Sequence, residues 1–179
     1  MKRQQKSPNI KLWAVALLFP CLFAGCDRGE VIPIEGVTTL RLIFSQPGSN
    51  ELVYEFKDLD GIGGNDPVAD EIRLPPLNVF NCRMEILNES KNPVEDWTPT
   101  ISQRSNIHLF SFKVTNDVMR FSNLSTDEEG RAFGLTSLAA TKSGAGSLTV
   151  IMKHNVDKNS PNPSLTGVTD IEATFPVKI

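Results

Sequence analysis

Along most of this chain, apolar residues recur at every second position, the spacing of a strand with one buried face. In TTLRLIF, Leu40, Leu42 and Phe44 share a side. The turn cluster SQPGSN follows, and then ELVYEFK places Leu52, Tyr54 and Phe56 on one side with Glu55 and Lys57 on the other. These two segments predict an antiparallel hairpin with a longer-than-minimal loop. EIRLPPL predicts a short strand broken by Pro75-Pro76, and VFNCRMEIL aligns Phe80, Cys82, Met84 and Ile86. NIHLFSFKV aligns His108, Phe110, Phe112 and Val114, while VMRFSNL and RAFGLTSL predict weaker strands around the acidic turn STDEEG. SLTVIMKH aligns Leu148, Val150, Met152 and His154. DIEATFPVKI aligns Ile171, Ala173, Phe175, Val177 and Ile179, with Pro176 outward, as suits an edge or a bulge. The one helical spacing is Val94, Trp97 and Ile101, and Pro99 confines any helix there to a turn or so. Trp97 is expected to close one end of the core, with a partner-facing role as the alternative.

About eight short strands without helical period predict an all-β fold, an antiparallel, immunoglobulin-like β-sandwich, with a closed β-barrel as the alternative.

The pattern changes at the start of the chain. Lys2, Arg3, Lys6 and Lys11 precede the apolar stretch LWAVALLFPCLFAG, which is too short to span a bilayer comfortably and ends on the small pair Ala24-Gly25 before Cys26. A basic start, a short apolar core and small residues before a cut predict a secretory leader over residues 1–25. The LFAGC junction resembles the lipobox of bacterial lipoproteins, in which the cysteine thiol takes diacylglycerol and becomes the new N-terminus. That resemblance assigns lipidation to Cys26, a tether to residues 26–35 and the β domain to residues 36–179. Several acyl chains make such attachment durable, because each buried methylene adds ~0.8 kcal/mol.

The formal charge is −3 and becomes more negative once the basic leader is removed, which with no basic cluster argues against nucleic acid as a partner. Of three cysteines, Cys21 leaves with the leader and Cys26 takes lipid, so Cys82 stands alone and the domain depends on packing rather than disulfides. Its phase with Phe80 and Met84 makes it a small buried residue rather than a reactive thiol.

Two groups of residues suggest chemistry. The loop from Asp58 through Asp60 to Asp66 places carboxylates among glycines and could wrap Ca²⁺, although its spacing is neither that of an EF-hand nor that of a dinucleotide loop. The alternative is a glycine-rich turn whose Asp side chains bind backbone N–H groups. His108 and His154 are the only histidines, each at one end of its strand on the apolar side. They could meet at the rim and bind Zn²⁺ or Cu²⁺, or be ordinary hydrogen-bonded rim residues. No GxSxG or other nucleophile motif is present.

The ordered segments FKDLDGIGGNDP (56–67), MEILNES (84–90), IHLFSF (107–112), LTVIMKH (148–154) and TDIEATFPVKI (169–179) resemble a group of small Bacteroidota lipoproteins. Some members carry a label for the type 1 periplasmic-binding fold, an α/β architecture for which this chain has neither the periodicity nor the length. Members have an acidic run leading into the histidine, where this chain has ISQRSNIH. The resemblance implies the outer membrane, the cell surface included, and it shifts Asp27 from an inner-membrane retention signal toward a surface-export tag. The expected function is a non-catalytic, membrane-anchored module that binds an outer-membrane receptor, a metal or a nutrient. A metal-dependent or histidine-based envelope enzyme would instead need its two rings close to each other, or to an acid, in a cleft. A structural surface protein is the third alternative.

Overall fold

The computed structural model describes residues 36–60 and 64–179; the leader, Cys26 and the tether lie outside the described residues. In chain order, β1 (Thr39–Ser45) and β2 (Leu52–Lys57) form the expected hairpin, followed by β3 (Val68–Ala69) and β4 (Ile72–Arg73). Next come β5 (Val79–Asn88), β6 (Glu95–Asp96), the short helix α1 (Thr98–Gln103), β7 (Leu109–Val114) and β8 (Met119–Ser122). β9 (Thr136–Thr141), β10 (Ala145–His154) and β11 (Val168–Lys178) complete the domain.

The strands make two sheets. One has the order β3-β2-β1-β5-β9-β8, with β6 also on β5, and the other has the order β4-β11-β10-β7. Every pairing is antiparallel except that of β4, which runs parallel to the last residues of β11. The expected β-sandwich is therefore present, with its own strand order. Between the sheets lie Leu40, Leu42 and Phe44 of β1 and Phe80, Cys82, Met84 and Ile86 of β5. They face Leu148, Val150 and Met152 of β10 and Ile171, Ala173, Phe175 and Val177 of β11, all of them buried. Burying an aliphatic or aromatic side chain of this size contributes roughly 1.5–3 kcal/mol, so these four strands contribute heavily to the stability.

The outer face of the larger sheet is charged. Arg41 reaches Glu55 at 2.6 Å and Glu85 at 2.9 Å, and Lys57 reaches Glu55 at 3.0 Å and Glu89 at 3.1 Å. Such partly exposed pairs each add little stability but keep that face in water.

Several expectations need correction. EIRLPPL yields only the two residues of β4, because Pro75 and Pro76 lack the N–H a ladder requires. The strand expected from RAFGLTSL begins later, at Thr136, because Phe133 and Gly134 both donate to Ser125 O and so close a loop first. Leu52, expected inward, is exposed where β2 enters the sheet. Val94, expected on a helical face with Trp97 and Ile101, is exposed, whereas Ile101 is buried and Trp97 packs half-buried against the core. Pro176 faces outward opposite Ser147, and Ser147 directs its backbone bonds toward Thr115, the residue after β7. The imide nitrogen of Pro176 therefore turns to the side of β11 where only β4 covers the last two residues, and no ladder bond is lost.

Cys82 is the free cysteine of the described residues and is buried. Burial pushes its thiol up to about 12, against a small opposing effect of the Ser137 hydroxyl. The thiolate is the nucleophile, so a thiol reagent at neutral pH should leave Cys82 unmodified in the native chain and label it only as the chain unfolds. Labelling as fast as that of a free thiol under native conditions would contradict this packing.

Candidate functional site

The candidate site begins with an irregularity in β11. Met152 pairs with Ile171 and Lys153 with Thr169, so Asp170 is an extra residue without a partner on β10. This is a β-bulge, a device that re-aims one side chain out of the regular alternation. Here it turns Asp170 toward His154, whose ring Nδ1 lies 2.5 Å from Asp170 Oδ1. The turn before β11 presses closely on the same histidine. Gly167 has φ +71°, and a Cβ there would lie 2.4 Å from His154 O, so only glycine fits.

His108 lies one residue before β7. Because Lys153 pairs with Leu109, one further step of the register sets His108 opposite His154. His108 was expected at the rim but is only 2% exposed. The segment after β10 covers it, with Val156 N donating to Ile107 O at 3.0 Å. The His108 ring has one hydrogen bond, between Nδ1 and Arg104 O at 2.8 Å. A carbonyl can only accept, so Nδ1 holds the proton and Nε2 is a bare acceptor, buried without a partner.

These surroundings oppose charge. Burial lowers the His108 imidazole below its ordinary value of 6.5, reinforced by the nearby Arg104, His154 and Lys158 charges and resisted by the bond to Arg104 O. Burial likewise raises the Asp170 carboxyl above 3.8, with His154 resisting. A histidine depressed in this way stabilises the fold above its unfolded value, and that contribution is lost as pH falls through the folded value. Asp170 acts in the opposite sense, stabilising at low pH and losing that contribution as pH rises through its own folded value. Urea melts near about pH 7.5 and about pH 5 should therefore show an acid-linked loss of stability that shrinks in His108→Leu. An equal loss in the variant would show that His108 is not the group responsible.

Asp170 also lines a cleft of ≈ 540 Å³ between the start of β11 and the segment that follows β2. Asp58 and Asp60 also line it, and Glu172 adds a fourth carboxylate. Asp60 Oδ2 accepts from Asn65 N at 2.9 Å and from Asn65 Nδ2 at 2.5 Å, which holds its carboxyl below the usual range. This is the side-chain-to-backbone turn weighed against Ca²⁺. Asp66 is exposed and does not line the cleft.

The predicted metal residues thus fall into separate places. Asp58 and Asp60 line the cleft, His154 bonds the Asp170 that lines it, His108 is buried opposite His154 in the register, and Asp66 stands apart. Among the described residues, no three His, Cys, Asp or Glu side chains are gathered closely enough to hold a metal ion. Asp170, the residue that joins these parts, is not among the predicted site residues. A DI pair at the head of an alternating strand gives no sign of a bulge.

Comparison with protein-family models, curated proteins and solved structures finds no match to this chain. Among the described residues, no helix is long and apolar enough to cross a membrane.

Proposed function

We propose that this chain is a lipid-anchored protein of the cell envelope whose β-sandwich is a non-catalytic binding module, with the cleft beside Asp170 as its binding site. The cleft is the observation that supports a binding role. It gathers carboxylates from two distant parts of the chain, Asp58 and Asp60 after β2 and Asp170 and Glu172 in β11. The anchor rests on the leader and Cys26 in the sequence. A Cys26→Ser variant should move from the membrane fraction to the soluble fraction and lose label from a supplied radioactive fatty acid. Retention of the label and of membrane association would overturn the anchor. Surface protease treatment of whole cells would then separate outward from inward display.

One observation favours a second reading. A carboxylate bonded to an imidazole Nδ1 is also the arrangement that orients a general base. If His154 serves an enzyme, a hydrolase panel should show turnover that disappears in His154→Gln. A binding module shows none in either protein.

A further inference from the structure

The Asp170 cleft has a more specific chemistry than its acidity. Asp170 has a side chain only 5% exposed, yet just one of its oxygens is used, Oδ1 toward His154. Oδ2 is buried with no hydrogen-bond partner. An unsatisfied buried acceptor is costly, and the loss is recovered by any ligand that brings a well-placed donor. The other described lining residues narrow that donor. No Lys or Arg is among them, and Asp60 and Glu172 keep the field negative. Phe56, Leu59 and Ile171 supply apolar surface beside the carboxylates. A bare divalent ion such as Ca²⁺ wants six to eight oxygens around it. The side chains here are not gathered for that, and Asp60 already holds Asn65.

We propose that this cleft binds a primary ammonium or guanidinium group on a short apolar body, with Asp170 Oδ2 accepting its N–H. Glu172 and Asp60 add long-range attraction, and Phe56 and Leu59 contact the carbon chain. A free amine and the side chain of a lysine or arginine in a protein share this chemistry. The inference deepens the binding-module reading by naming the ligand class of the same site.

The test is calorimetric titration of the full chain with four probes: n-hexylammonium, N-acetyl-lysine amide, tetramethylammonium and Ca²⁺. Saturable one-to-one binding is expected for at least one of the first two. A free-amine ligand would favour hexylammonium, and a protein side chain would favour the lysine amide. Tetramethylammonium has the charge but no N–H, and it should bind at least about tenfold more weakly, the scale of a charge-assisted hydrogen bond. Asp170→Asn should weaken the preferred probe by a similar factor. Glu172 is exposed, so Glu172→Gln should fold normally and weaken binding several-fold, which keeps the question decidable if Asp170→Asn does not fold. No saturable binding of either N–H cation, equal binding of tetramethylammonium, or preferential binding of Ca²⁺ would overturn the proposal. Fractionation of Cys26→Ser tests the anchor independently, so failure of one result leaves the other standing.

Discussion

Phe175→Ala should lower the unfolding free energy by about 3–5 kcal/mol, the range for deleting a buried phenylalanine side chain. Phe175 is fully buried on β11 opposite Leu148. Its ring centroid lies 6.2 Å from that of Phe56 on β2, so it links the two sheets beside the cleft. Removing the ring takes away both its own transfer from water and the contacts of the side chains around it, and the surrounding strands close over the gap only in part. Phe175→Leu retains much of the volume and should cost clearly less. Urea unfolding of the full chain measures both, and an unchanged denaturant slope would confirm that native stability, not the unfolded state, has altered. A loss below about 1 kcal/mol for the alanine variant would mean that the sheets do not close on this ring.

The second large effect concerns a buried ion cluster. Asp127 has a fully buried side chain and binds Arg131 Nε at 2.9 Å, Arg131 N at 2.8 Å and Glu129 N at 3.2 Å. Lys158 is nearly as buried, donates to Ala132 O at 2.6 Å, and holds its Nζ 3.7 Å from Asp127 Oδ2 and 5.5 Å from the centre of the Phe133 ring. Burial lowers the Lys158 pKa, while Asp127 resists that shift. Asp127→Ala would strand this ammonium and two backbone N–H groups, so a loss of about 3 kcal/mol or more is expected. Lys158→Met removes the charge along with its need for a partner and should cost about 1–2 kcal/mol, mostly for the orphaned Ala132 carbonyl. Thermal or urea melts of the two variants decide the point. If Lys158→Met proved as damaging as Asp127→Ala, the cluster would be held by Lys158 rather than by the carboxylate.

The two clusters show what the sequence makes legible. Alternation identifies the strands because one face of each is dry, so the core residues of β1, β5, β10 and β11 follow directly from it. The same logic places Cys82 inside, whereas Pro99 sits in the first turn of the six-residue α1, where its missing N–H costs nothing. Alternation fails where burial comes from a connection instead of a sheet. Asp127 lies in the acidic turn STDEEG and Lys158 in the connection between β10 and β11, and only the tertiary fold brings the two together. His108 is buried rather than at the rim because the segment beyond β10 folds back over it. The candidate site was half legible. The chemistry of Asp58, Asp60 and His154 marks them in the sequence, but the Asp170 that lies between them depends on a register shift that no local pattern announces.

The chain from Ile171 onward would pair with β10 just as well if Asp170 were missing, since Ile171 and Thr169 would then face Met152 and Lys153 in unbroken succession. β11 is one residue longer than its ladder requires, and that surplus residue is the buried acid. In this strand, folding economy and the candidate site are divided at a single position. A one-residue deletion there would leave the ladder in register while removing the buried carboxylate that lines the cleft.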